Sequence, residues 1–140
     1  MRVMAGRLSL DLESSLAVLG EITKAVEAFG AEQEWPAELL FHVQLVLDEL
    51  ASNVINHGYG ASGHRFQITI QSRPEAVQVE VVDEARAFDP LHETPAATID
   101  AVVAEREVGG LGVHIVKQLM DEMEYRRENG KNRLTLVKKR

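Results

Sequence analysis

The sequence predicts an α+β fold, a two-layer sandwich whose strands pair mostly as hairpins and whose helices gather on one face. Three observations predict it. Segments 65–72 and 76–83 alternate apolar and polar residues around a turn at Arg73-Pro74-Glu75, the pattern of a half-buried antiparallel hairpin. A second alternating pair, Met123–Glu128 and Arg133–Lys138, flanks Asn129-Gly130-Lys131-Asn132, which carries an Asn-Gly turn signal. In three other stretches apolar residues recur at spacings of three and four, the period of a helix with one buried face.

Taken in order, Arg7–Leu12 alternates and predicts a short strand. Ser14 or Ser15 then caps a helix running to about Phe29, with Leu16, Leu19, Ile22, Val26 and Phe29 as its buried stripe and Gly30 as its stop. Trp35-Pro36 opens the next helix, with proline in the first turn. Its core face is Leu40, Val43, Leu47, Leu50 and Val54, and Gly58, Gly60 and Gly63 end it. Between the first hairpin and the last helix, residues 84–108 show no period apart from a short helical piece over 99–105. An irregular stretch of that length in a small domain is usually functional, here a lid. After Gly112 a helix runs to about Met120, ahead of the second hairpin.

Bulk properties narrow the function classes. With 140 residues, 45% of them hydrophobic, the chain suits a single domain spanning 1–140. The absence of cysteine excludes disulfides and thiolate metal sites. A net charge of −7 and a pI near 5.2 oppose loose binding to nucleic acid. The one basic cluster, Lys138, Lys139 and Arg140, reads as a solvated terminus. No apolar run suits a signal peptide or a membrane span, so a soluble cytoplasmic protein is the expectation. His42, His64, His92 and His114 lack zinc-ligand spacing, and nothing suggests a Ser-His-Asp hydrolase.

Two features carry chemistry. In LVLDELASNVINHGYG, residues 45–60, Glu49, Asn53 and Asn56 or His57 fall four and then three to four residues apart, one stripe of a helix. Polar groups aligned along an otherwise apolar helix are costly to bury without a use. Some fifty residues on, GGLGVHIV places Gly109, Gly110 and Gly112 at a helix start, where unpaired N–H groups and the helix dipole suit an anion. A cation-holding stripe together with a phosphate-holding helix start predicts a nucleoside triphosphate site.

Three blocks in order resemble the ATP-binding domain of the GHKL (histidine-kinase-like, Bergerat-type) superfamily. Glu49-Leu-Ala-Ser-Asn53-Val-Ile-Asn56-His57 is similar to its N box, Val81-Val-Asp83-Glu-Ala85-Arg-Ala-Phe88-Asp89-Pro90 to its first glycine box, and Gly109-Gly110-Leu111-Gly112-Val113 to its second. The Phe-Asp-Pro step and the ending Leu-Met-Asp-Glu-Met-Glu-Tyr-Arg-Arg-Glu-Asn-Gly-Lys-Asn-Arg-Leu-Thr-Leu are most similar to the anti-sigma-factor serine kinases. The resemblance extends from the first strand to Val137 and implies a mixed, mostly antiparallel sheet.

The resemblance implies ATP and Mg2+ as cofactors and a role for each matching residue. Asn53 would hold the metal together with phosphate oxygens, and Glu49 would be the general base. Asp83 would accept the adenine amino group, backed by Thr135 through a water. Gly109, Gly110, Leu111, Gly112 and Val113 would enclose the β- and γ-phosphates, with Asn56, Ala85 and Phe88 lining the site. His57 either contacts phosphate, shapes the pocket or merely ends the helix; Arg106 either reaches the γ-phosphate or a partner, or pairs with Glu105 or Glu107. The family usually has glycine where Ala85 and Ala87 stand. Alanine at 85 costs about 1 kcal/mol if that residue needs positive φ, and little if it needs only closeness.

The implied activity is phosphorylation of a STAS-domain anti-sigma-factor antagonist on serine or threonine. With it comes sequestration of an alternative sigma factor by a homodimer joined through its first strand and helix. The competing reading is a nucleotide-gated switch module of the same fold with little kinase activity, which Ala85 keeps open. Neither reading involves nucleic acid or a membrane directly.

Overall fold

The computed structural model describes residues 2–4, 6–59, 64–85, 87, 89 and 109–140, excluding the side chains of 2–4, 57–59 and 109–112. The expected helical piece over 99–105, and Phe88 and Arg106 with it, lies outside the described residues. Among the described residues six strands form one sheet: β1 (Arg2–Met4), β2 (Arg7–Glu13), β3 (Arg65–Ser72), β4 (Ala76–Asp83), β5 (Glu122–Glu128) and β6 (Lys131–Lys139). Their order is β1-β2-β3-β4-β6-β5. Among the described residues every pair is antiparallel, with no parallel pair to make the sheet mixed. The strand Arg2–Met4 has no counterpart in the sequence reading; it folds back on β2 through Gly6, whose φ is 73°.

Register organises the buried face into rows. Leu8, Ile70, Val79, Leu136 and Met123 make one row across the sheet. Leu10, Ile68, Val81, Leu134 and Tyr125 make the next. Then the chemistry changes: the row Leu12, Phe66, Asp83, Asn132, Arg127 begins apolar and ends polar. Strand alternation puts these side chains on the helix side of the sheet.

Over that face lie α1 (Val18–Glu32), α2 (Ala37–Asn53) and α3 (Gly109–Leu119), with α2 packed against both neighbours. Val43, Val46, Leu47 and Leu50 of α2 share a core with Phe29, Ile68, Val81, Val116 and Leu134. The Lys138 ammonium donates to the Leu119 carbonyl at 2.9 Å, satisfying one of the open carbonyls at the end of α3.

Several helix details depart from expectation. Among the described residues no side chain caps α1, which begins only at Val18; Ser14 is instead buried. Leu16, expected in the buried stripe, precedes the helix and is 64% exposed. Leu39 is buried where Leu40 was expected to be, and Leu40 is half-buried. Gly30 does not stop α1, which continues to Glu32. A Cβ there would sit 3.0 Å from Leu40 Cδ1 and 3.1 Å from the Trp35 ring, so this glycine lets α2 and Trp35 approach closely.

The β5–β6 connection is tighter than the four residues expected. Asn129 and Gly130, at φ 53° and 74°, form a two-residue turn of the kind that matches strand twist. Alanine at 130 would meet open space yet have to hold left-handed backbone. Gly130→Ala is therefore expected to lower unfolding free energy by roughly 1–2 kcal/mol in urea titration; an unchanged midpoint would mean the turn tolerates a Cβ.

Candidate functional site

On α2, Glu49 is half-buried and Asn53 is 9% exposed, one turn apart. Four-residue spacing stacks them on one side of the helix, as anticipated. Burial, and secondarily the charge of Asp48, raises the Glu49 carboxyl above its ordinary 4.5. Both causes disfavour the ionised form, so this carboxylate is a stronger proton acceptor than a solvated glutamate.

The stripe does not continue as regular α-helix. From Val54 to Tyr59 the chain winds as a π-helical turn, wider than an α-turn and common at functional sites. The wider winding shifts the residues beyond Asn53 out of α-helical register, and Asn56 is exposed. Asn56 therefore does not stack beneath Asn53 as expected, and the His57 side chain lies outside the described residues.

Asp83 ends β4 on the helix side of the sheet and is 9% exposed. Its Oδ1 accepts two hydrogen bonds, from the Ala85 backbone N–H at 3.0 Å and from Asn132 Nδ2 at 2.8 Å. The first closes an Asx turn that leads the chain out of the strand. Ala85 is buried, and its φ is not positive. The alanine therefore carries no left-handed strain, which removes the larger cost its substitution for glycine could have had. Its carbonyl accepts from Arg127 Nη1 at 2.7 Å.

Thr135 is not part of this group. Its register partners are Glu80 and Glu124, and it lines a depression on the sheet's open face with Gln78, Glu80, Arg126 and Arg133. Period-two alternation puts it opposite Asp83, on the wrong side of the sheet to support it. Asn132 holds the supporting position instead: it is 6% exposed and directly across from Asp83 in register. Asn132, Tyr125 and Arg127 were all missed in the sequence. Alternation was the available signal, because Leu134 and Leu136 point inward and Asn132 must share their face.

Glycines 109, 110 and 112 lie inside α3, whose described residues are Gly109–Leu119, rather than before it. Their backbone N–H groups lie in the first described turn of that helix. Val113, just after them, is buried in the helix layer. Among the described residues, no group of three His, Asp or Glu side chains is arranged to hold a metal ion. Asn53 supplies a neutral, hard oxygen donor, which fits magnesium shared with phosphate oxygens.

Residues 12–138 match the family model described as the histidine kinase-like ATPase domain. The chain is 26% identical over 134 residues to the serine/threonine-protein kinase BtrW of Bordetella bronchiseptica, covering 92% of this chain and 91% of that protein. It is 25% identical over 114 residues to an anti-sigma F factor of Thermoanaerobacter sp., covering 81% and 79%. The anti-sigma F factor of Clostridium acetobutylicum is likewise 25% identical, over 122 residues covering 82% and 80%.

The raised Glu49 value has a consequence for stability. The folded protein holds this proton more tightly than the unfolded chain, so Glu49 contributes stability below pH 4.5 that is lost as pH rises through the elevated folded value. At neutral pH Glu49→Gln is therefore expected to raise the midpoint of denaturant unfolding, with the gain over wild type shrinking toward pH 4. A variant less stable than wild type at pH 7 would contradict the burial argument.

Proposed function

Since the chain belongs to the histidine kinase-like ATPase domain family, we propose that it is an ATP- and magnesium-dependent protein-serine/threonine kinase and anti-sigma factor. Its substrate in this reading is a STAS-domain antagonist, and its sequestered partner is a sigma factor. The names of its relatives, a serine/threonine-protein kinase and anti-sigma F factors, support the two halves of the reading. The observation that carries the catalytic half is Glu49, a carboxyl of raised proton affinity one turn from a buried carboxamide.

In this reading the first-turn N–H groups of α3 hold the β- and γ-phosphates, and Asp83 accepts the adenine amino group. Asn53 holds magnesium, whose contribution is to neutralise charge on the transferring phosphate. Glu49 takes the proton of the attacking serine hydroxyl as its Oγ bonds to the γ-phosphorus. The bond from that phosphorus to the bridging oxygen breaks and ADP departs. Catalysis requires Glu49 ionised, so its raised value moves the acidic limb of the rate profile above that of an ordinary glutamate.

The switch-module alternative drew its force from Ala85, and the absence of positive φ at that residue weakens it. Homodimerisation belongs to the same proposal. The strand expected to supply the contact, Arg7–Leu12, is β2 and is paired on both sides by β1 and β3, so in this proposal the contact passes to β1 (Arg2–Met4), outermost among the described strands.

Incubation with a STAS-domain antagonist and labelled ATP tests the proposal. Glu49→Gln is expected to slow transfer by roughly 10²- to 10⁴-fold while ATP affinity stays within a few-fold. Asn53→Ala is expected to abolish the magnesium dependence of binding. Undiminished transfer in Glu49→Gln, or no transfer by the wild type, would overturn the kinase assignment.

A further inference from the structure

Asp83 does not stand alone at the end of β4. The Tyr125 hydroxyl donates to Asn132 Oδ1, and Asn132 Nδ2 donates in turn to Asp83 Oδ1. The three side chains come from β5, β6 and β4, adjacent strands of the sheet. Asn132 is 6% exposed and Asp83 9%, so errors in pairing here would be costly. Two observations fix the direction of the chain. The Asp83 carboxylate and the Ala85 carbonyl, both acceptors only, face one end of the Asn132 amide, so that end is the NH2 group and the amide oxygen is left to accept from the tyrosine O–H. The Ala85 N–H donates to the same Asp83 oxygen at 3.0 Å. Oδ1 thus faces two donors, while Oδ2 accepts none from a described residue.

We infer that Tyr125 and Asn132 are positioning residues that set purine selectivity: they engage one Asp83 oxygen and present the other as a fixed acceptor to the base. A carboxylate oxygen held in this way suits an exocyclic amino group, and it repels the carbonyl that guanine or hypoxanthine carries in its place. Releasing Oδ1 would let the carboxylate turn and blur that distinction. The inference rests on the reading of Asp83 as the base-recognition residue, and it goes beyond that reading by locating the source of discrimination in Asn132 and Tyr125. The network also explains why a buried asparagine occupies the inward face of β6, which leucines hold at 134 and 136.

The test is calorimetric binding of ATP, GTP and ITP to the full chain. Wild type is expected to prefer ATP. Asn132→Leu, close in size but with no donor, is expected to lose about tenfold in ATP affinity and to reduce the ATP-to-GTP preference by about tenfold, with GTP affinity nearly unchanged. Tyr125→Phe is expected to move the preference the same way by about two- to fivefold, and it reports on the network should Asn132→Leu fail to fold. A preference unchanged in Tyr125→Phe and in any folded Asn132→Leu overturns the inference, as does an equal loss for both nucleotides, which would mark a merely structural role. Asp83→Ala separates the two layers. ATP affinity undiminished in that variant sinks the base-recognition reading itself, whereas a loss there with selectivity intact in the other two sinks only the positioning role.

Discussion

The packing of α2 against the sheet is the interaction on which the rest depends. Val43, Val46, Leu47 and Leu50 are buried in a core with residues of β3, β4 and β6. Burying each such side chain is worth roughly 1.5–3 kcal/mol, so rotation of this helix about its axis is strongly opposed. Glu49 and Asn53 occupy positions between and beside those apolar residues, and their burial results from the packing rather than from any attraction of their own. The raised proton affinity of Glu49 is one result: the core brings a carboxyl partly out of water, and the like charge of Asp48 adds to the effect.

The sheet imposes a second geometry through its register. Three successive rows cross β2, β3, β4, β6 and β5, and only the last contains Asp83, Asn132 and Arg127. Antiparallel pairing makes those residues neighbours although 49 positions separate Asp83 from Asn132 in sequence. The tight Asn129-Gly130 turn sets the register of β5 on β6 and thereby brings Arg127 and Tyr125 alongside Asn132. A slip of one residue would send Asn132 to the open face and Thr135 to the buried one.

Much of this was legible in the sequence because local patterns and tertiary packing agree. Period-two segments became β3 and β4 with the predicted limits, and the three-four spacing located α2 to within a residue or two of its start. The features that escaped had little local signature. The strand Arg2–Met4 is too short to show alternation, and Leu16 fits a helical stripe that the chain begins too late to include. The π-helical turn after Asn53 leaves no mark in residue spacing, so Asn56 was assigned from α-helical geometry that ends at Asn53. Thr135 is a different kind of error: family likeness suggested a threonine, while the strand's own alternation pointed to Asn132. Ala85 could not be judged from sequence at all, since its cost depended on a backbone angle.

A single nucleotide shared by three separate pieces of chain is the central claim: the Glu49–Asn53 turn, the Asp83–Ala85 turn and the start of α3 would all meet it. The most direct measurement is an amide chemical-shift titration of the labelled protein with magnesium and a non-hydrolysable ATP analogue. The prediction is that amides in all three segments shift together, along one saturation curve, while those of the open-face strand positions around Thr135 stay still. Shifts confined to one segment, or segments saturating at different concentrations, would contradict it.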